Sequence, residues 1–118
     1  MKLGLFINTQ FPEGFSLQER VPEMVAQVRA ARDAGFASLW FPHHWLTYPM
    51  QMLQITPVMA YVASYAQGMT IGPNILILPP LNPVHVAEEA GHARSAYRRQ
   101  LHPRRRVRLP ADGVRRVR

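Results

Sequence analysis

Two adjacent histidines near the centre of the chain are the residues best suited to chemistry. They follow an apolar segment in the stretch SLWFPHHW, so that His43 and His44 lie just beyond a predicted strand. An imidazole at such a position can act as an acid, a base or a hydrogen-bond donor near neutral pH. Alternatively, the two side chains only line a loop beside Trp45. A metal site is less favoured, because adjacent ligands are unusual and no nearby carboxylate completes a set.

A second candidate stretch is TIGPNILIL, in which Gly72 and Pro73 interrupt an apolar segment that resumes at Asn74 and Ile75. An irregularity of this kind often indicates that the backbone approaches a ligand closely. A plain bulge or the end of a strand explains it equally well. The adjacent acids Glu88 and Glu89 follow on a predicted helix, where we expect them to face solvent and not to form a catalytic pair.

The first 90 residues alternate between predicted strands and predicted helices, judged by the spacing of their apolar residues and by their Pro and Gly punctuation. This β-α-β-α-β-α order implies right-handed crossovers and a parallel sheet. The strands are expected at residues 3–8, 36–41 and 69–78, and the helices begin near Arg20–Val21, at a Thr56 cap followed by Pro57, and at Asn82–Pro83.

The first helix has an apolar stripe, a clear end and two possible starts. Ser16 and Glu19 could form a capping box. Pro22 fits better in a first turn, because deeper in a helix it would clash with a carbonyl, so we place the start near Arg20–Val21. Gly35 is expected to end the helix in a left-handed conformation. The stripe consists of Val21, Met24, Val25, Val28 and Ala31.

The alternating pattern is compatible with a doubly wound sheet or with a (β/α)₈ barrel. No G-x-G-x-x-G or phosphate-loop pattern follows any predicted strand, which counts against the nucleotide-binding doubly wound folds. A barrel needs roughly 250 residues. We therefore predict an α/β fold, a partial (β/α)₈ TIM barrel of about three N-terminal βα units, followed by a disordered or irregular basic tail.

Composition narrows the function classes. The 118 residues include no cysteine, which excludes disulfides and thiolate metal sites. No apolar stretch reaches the roughly 18–20 residues of a membrane span, and no signal peptide is recognisable, so a cytoplasmic protein is expected. Charge is divided unevenly. Residues 1–90 hold four basic and six acidic residues, whereas residues 91–118 hold ten arginines and one aspartate.

Three segments resemble the luciferase-like monooxygenases: MKLGLFIN, ARDAGFASLWFPHHW and TIGPNILILPPLNPVHVAEEA. The resemblance covers residues 1 to about 90, and it implies a (β/α)₈ barrel that uses FMN or the deazaflavin F420 on a small organic substrate. It places His43 and His44 beside cofactor and substrate as the catalytic residues. Pro42 stands where the family commonly has an acid.

The resemblance also implies which residues contact the cofactor. Asn74 and Ile75 match the segment in which the family often carries a non-prolyl cis peptide against the isoalloxazine ring. Phe6 matches a position at the mouth of the barrel. In relatives, later barrel loops grip the phosphate end of FMN. We therefore expect the 118-residue chain to lack turnover and to be unstable or prone to aggregation. Oligomeric state cannot be read from these positions.

The resemblance stops at Gly91, where the arginine-rich tail begins. Read one base forward with permitted codons, residues 91–118 can yield a helix, a turn and a glycine-rich strand of the kind that the family has next. The sequence therefore predicts two parts, a barrel part at 1–90 and a frameshifted tail at 91–118. One rival function is a small basic protein that binds nucleic acid through the tail. The other is an inert fragment.

Overall fold

The computed structural model describes residues 1–96, which form a three-stranded sheet, a two-stranded ribbon and three helices. The element order confirms the predicted alternation of strands and helices. Two short strands, at Gln10–Phe11 and Gln51–Met52, are additional to it. The elements are β1 (Gly4–Phe6), β2 (Gln10–Phe11), α1 (Leu17–Asp33), β3 (Ser38–Phe41), β4 (Gln51–Met52), α2 (Ile55–Val62), β5 (Thr70–Pro73) and α3 (Pro83–Ala96).

The main sheet is parallel, with the order β1-β3-β5. Phe6 of β1 is level with Trp40 of β3, and Trp40 is level with Gly72 of β5. Each strand is connected to the next by a helix, as parallel pairing requires. The parallel α/β arrangement predicted from the sequence is therefore confirmed, and the three strands end at the same edge of the sheet.

One face of the sheet packs against α1 and α2 and forms the core. Leu39 and Phe41 of β3 are completely buried there, and Ile7 lies beside them just after β1. Burying side chains of this size contributes roughly 1.5–3 kcal/mol each. The predicted stripe of α1 is confirmed, with Val21 half-buried at its start. The helical residues of the core are Met24, Val28, Ala31, Ile55, Val58 and Val62.

The opposite face of the sheet is dominated by the indole of Trp40. Its Nε1 donates a 3.0 Å hydrogen bond to Oγ of Ser38. The indole lies across the two neighbouring strands, close to Gly4 on one side and Gly72 on the other. No helix of the described residues buries this face, so Trp40 stays half-buried and Phe6 half-exposed.

The predicted start of α1 is wrong, whereas its predicted end is confirmed. The helix begins at Leu17, and the hydroxyl of Ser16 accepts from the N–H of Glu19, which is one half of a capping box. Pro22 lies inside the helix. The carbonyl that it leaves without an intrahelical donor belongs to Gln18, an exposed residue that water can reach. At the other end, Gly35 adopts a positive φ of 79°.

The second helix starts earlier than predicted and the third strand is shorter. The N-cap of α2 is Gln54 and not Thr56, which places Pro57 at the third helical position. The helix ends at Val62, and an irregular turn leads to Gly68, whose φ is 86°. Strand β5 ends at Pro73 and does not continue to residue 78, because its partner strand β3 ends at Phe41.

The third helix confirms one prediction and corrects another. Asn82 caps it, since its Oδ1 accepts from the N–H of Val84 at 2.9 Å, and Pro83 is the first helical residue. The helix continues through Gly91 to Ala96. The first six residues of the tail, predicted to be irregular, are therefore helical. Two alanines in this stretch favour the helix. The rest of the predicted tail, residues 97–118, lies outside the described part of the chain.

Candidate functional site

The candidate site lies where the three parallel strands end. Ile7 donates its N–H to the carbonyl of Trp40 at 2.9 Å, and Asn74 donates its N–H to the carbonyl of Phe41 at 2.8 Å. These two bonds continue the strand pairing past β1 and β5. They bring the segments 7–9, 42–45 and 74–77 together at one edge. In parallel α/β proteins, this carboxyl edge is where ligands bind.

His43 is the most constrained polar residue at this edge. It is only 3% exposed. Its Nδ1 accepts a 3.0 Å hydrogen bond from the main-chain N–H of Ile77. Its ring meets the indole of Trp45 edge-on, with centroids 5.8 Å apart and planes at 82°. The strand end, the segment after β5 and an aromatic neighbour therefore all restrict the imidazole, which the sequence alone could not indicate.

The two adjacent histidines have different environments. Burial lowers the pKa of His43 below its ordinary value, and the nearby charge of His44 lowers it further. The side chain of His44 is exposed, and its main-chain carbonyl accepts from Nε2 of Gln54 at 3.3 Å. His43 is therefore held neutral within the fold, whereas His44 faces solvent. The two side chains thus do not form one paired site.

The residues that the resemblance assigned to the cofactor lie at or near the same edge. Phe6 ends β1 with 50% of its surface exposed, and Ile75 is 66% exposed. Asn74 is also exposed, and its peptide bond to Ile75 is cis, as the resemblance implied. Their contact with a cofactor remains a prediction. The structure places Asn74 and Ile75 within three residues of the Ile77 N–H that holds His43.

Thr9 is a polar residue at this edge that the sequence analysis missed. It lies two residues past Ile7 and is 1% exposed. Its Oγ1 has no hydrogen-bond partner among residues 1–96, although its main-chain carbonyl accepts from Leu53 at 3.1 Å. A buried hydroxyl without a partner is uncommon. Nothing in the stretch FINTQF distinguishes this threonine from one in an ordinary loop.

The groups at the edge fit an aromatic ring better than an anionic group. Phe6 and Ile75 supply apolar surface, and His43 supplies a single hydrogen-bonding group, whereas the hydroxyl of Thr9 is itself buried. No Lys or Arg belongs to the three segments at the edge. The set is therefore compatible with the ring of a flavin or deazaflavin, and it offers no grip for its phosphate. Within residues 1–96, no cluster of His, Asp or Glu has the ligands to hold a metal ion.

Comparison with known proteins gives a consistent family and fold. Residues 1–98 match the sequence model of a family described as luciferase-like monooxygenase. Alkanal monooxygenase alpha chains from Photorhabdus laumondii subsp. laumondii and Photorhabdus luminescens are 27% and 28% identical over 89 residues. Each alignment covers 75% of this chain and 25% of the relative. The chain thus spans about a quarter of the length of these relatives.

A solved structure supports the fold. It is an F420-dependent secondary alcohol dehydrogenase in complex with an F420-acetone adduct, and it superposes with a TM-score of 0.66 at 22% sequence identity. The superposition covers 84% of this chain and 29% of the other. At this identity the likeness establishes the α/β fold. No helix among residues 1–96 is long and apolar enough to cross a membrane.

Proposed function

The chain belongs to the luciferase-like monooxygenase family, and from that premise we propose that residues 1–90 supply the ring-facing part of an FMN or F420 site. The function is that of a flavin-dependent monooxygenase or related oxidoreductase acting on a small organic substrate. The observation that carries the proposal is the buried His43, held at the carboxyl edge of a parallel sheet beside an exposed apolar surface. The three βα units are, on this proposal, part of a (β/α)₈ barrel.

The roles of the residues follow from their positions. When bound, the cofactor supplies hydride or oxygen chemistry that no side chain can provide. The exposed side chains of Phe6 and Ile75 pack against its ring and exclude water from one side. His43 presents Nε2 to the site, because its Nδ1 is occupied by Ile77. His44, which is exposed, contacts the substrate side of the site.

The choice between FMN and F420 stays open within the proposal. The alcohol dehydrogenase of similar fold is F420-dependent, whereas the Photorhabdus relatives are alkanal monooxygenases. The ring systems of the two cofactors have the same tricyclic shape, and the apolar surface at this edge can accommodate either. We propose further that the chain by itself lacks turnover, since the edge offers no cationic side chain for the phosphate that both cofactors carry.

Binding of nucleic acid, the rival reading of the arginine-rich tail, has no support in the family match or the relatives. Most of the tail lies outside the described residues. Gel-shift measurements at low salt with a duplex and a single strand would test this rival directly, because binding driven by arginines is strongest at low ionic strength.

Fluorescence titration with FMN and with F420 tests the proposed function. We expect saturable binding of at least one of them. Ile75→Asp should weaken it about tenfold or more, because a carboxylate would replace apolar contact with the ring. Val84→Asp is the matched control, since Val84 is 65% exposed on α3 and Ile75 is 66% exposed.

The titration contradicts the proposal if neither cofactor binds to a chain whose near-UV circular dichroism shows packed aromatic residues. It also does so if both aspartate variants weaken binding equally, since the effect would then be one of general charge. A chain without a near-UV signal would contradict the packed core of the fold itself.

A further inference from the structure

The hydrogen bond between Ile77 and His43 has a chemical consequence beyond holding the ring in place. We propose that the main-chain N–H of Ile77 is a positioning group that fixes His43 as its Nε2–H tautomer, so that His43 serves this site as a hydrogen-bond donor and not as a proton acceptor. The donor role rests on the proposed function. The tautomer itself follows from the contacts of His43 within the chain.

The tautomer follows from counting donors and acceptors. A neutral imidazole has one nitrogen that donates and one that accepts. The N–H of Ile77 lies 3.0 Å from Nδ1, so Nδ1 must be the accepting nitrogen and the proton must reside on Nε2. No other hydrogen bond of the His43 side chain is made within residues 1–96, so Nε2–H remains available to a ligand.

The surroundings keep the ring both neutral and oriented. With 3% exposure, a cationic imidazole would lose most of its hydration. No acidic side chain of the described residues hydrogen-bonds His43 to offset that loss. The charge of the neighbouring His44 further opposes protonation of His43. The edge-on contact with Trp45 limits rotation of the ring. The ring therefore stays in the orientation in which Nδ1 faces the N–H of Ile77.

The chemical consequence concerns what His43 can do for a ligand. Nε2–H can donate a hydrogen bond to an oxygen or nitrogen that gains negative charge during a reaction, which stabilises that charge. It cannot take a proton at Nε2, because that nitrogen has no free lone pair in this tautomer. Protonation at Nδ1 would break the bond to Ile77. A group other than His43 must therefore remove any proton from the substrate.

The hydrogen bond from Ile77 to His43 also links His43 to Ile75, the residue that is proposed to contact the cofactor ring. Ile75, which faces solvent at the edge, is two residues from Ile77 along one short segment. A ligand that shifts this segment also moves the N–H on which the tautomer depends. The segment after β5 therefore has two roles, as a surface for the ring and as the support of the donor.

Nitrogen-15 NMR of the imidazole-labelled chain at pH 7, without any cofactor, tests the tautomer. We expect a protonated Nε2 and an unprotonated Nδ1 for the signal pair that disappears in His43→Gln. A protonated Nδ1 or a doubly protonated ring would overturn the proposal. Because no cofactor is present, this outcome is independent of whether the proposed function is correct.

A matched pair of variants tests the positioning role of Ile77. His43→Asn retains an acceptor oxygen in place of Nδ1 and lacks the distant donor, whereas His43→Gln retains the distant donor and lacks the near acceptor. We expect the Ile77 amide to exchange its hydrogen about tenfold faster in His43→Gln than in His43→Asn, as the loss of one hydrogen bond predicts. Equal exchange in the two variants would overturn the positioning role.

The same pair separates the donor role from the proposed function. Titrated with riboflavin, His43→Gln should retain more affinity than His43→Asn, because it keeps the donor that faces the ligand. If riboflavin binds the natural chain but binds His43→Asn more tightly than His43→Gln, the donor role is wrong, whereas the proposed function stands. If neither riboflavin nor F420 binds any of the three proteins, the proposed function fails, and the tautomer is still decided by the NMR measurement.

Discussion

The indole of Trp40 lies so close to Gly72 of the neighbouring strand that a Cβ added there would come within 2.9 Å of Cζ3. On the other side, a Cβ on Gly4 would come within 2.9 Å of the indole Nε1. One ring therefore covers parts of three strands on the face opposite the helices. Both glycines provide space that a larger residue would take from Trp40.

Gly72→Ala is expected to destabilise the protein by about 1–3 kcal/mol, the usual effect of overpacking. The indole cannot move aside freely, because its Nε1 is bonded to Ser38. Urea unfolding followed by tryptophan fluorescence measures the effect. Gly91→Ala is the control: apart from the backbone of α3, no atom of residues 1–96 lies within 4 Å of its added Cβ, and the change should stabilise α3 by up to about 1 kcal/mol. Equal effects of the two changes would contradict this packing.

Ser16→Ala is expected to cost about 0.5–2 kcal/mol, because it removes the hydroxyl that accepts from the N–H of Glu19 at the start of α1. Ser16→Asp should retain most of the stability, since its carboxylate can accept the same bond. Ser95→Ala, within exposed α3, provides the comparison and should be close to neutral. The free energy of unfolding in urea distinguishes these outcomes. A neutral Ser16→Ala would contradict the stabilising role of this cap.

Acid is expected to destabilise the protein through His43. Burial, and then the charge of His44, lowers the pKa of His43 in the folded protein below the ordinary value of 6.5. Between those two values the unfolded chain binds a proton that the folded chain does not. The contribution of neutral His43 is thus complete above about pH 6.5 and is lost as the pH falls through the lowered pKa.

The measurement for this pH effect is the free energy of unfolding in urea between pH 7.5 and mildly acidic values. Stability should fall more steeply with acid in the natural chain than in His43→Gln, which has no titrating group at that position. The same slope in both proteins would mean that His43 titrates alike in the folded and unfolded states.

We expect the tricyclic ring of a flavin to provide nearly all of its affinity for this site. No Lys or Arg belongs to the segments 7–9, 42–45 and 74–77 at the edge, so nothing there pairs with a phosphate. Riboflavin and FMN should therefore bind with dissociation constants within about twofold of each other in a fluorescence titration. One good phosphate contact is worth about tenfold, so a preference for FMN of that size would place a cation beside the site.

The sequence predicted the elements that follow from local patterns. The apolar stripe of α1, the glycine at its end and the Asn82–Pro83 start of α3 are each encoded by a few neighbouring residues, and each is confirmed. The predicted start of α1 is wrong because the helix tolerates Pro22 in its interior and is capped by Ser16. The carbonyl of Gln18, which Pro22 leaves without an intrahelical donor, is on an exposed residue where water can bond it.

What the sequence could not give depends on distant contacts. β2 and β4 are two residues long and exist only by pairing with each other across about 40 residues. The bond from Ile77 to His43 spans 34 residues, so no local pattern indicates it. Thr9 is distinctive only by its burial. Adjacent histidines in the sequence also suggested a pair, whereas the fold buries one and exposes the other.

The central claim is that the carboxyl edge around His43 binds a flavin-type ring. The most direct test is a titration of the isotope-labelled chain with riboflavin, followed by two-dimensional NMR of backbone amides and histidine side chains. We expect the signals of His43, Ile75 and Ile77 to shift in a saturable manner, while those of Val84 and Tyr61 stay unchanged. Saturable shifts confined to other parts of the chain, or none at all in a folded chain, would contradict the account.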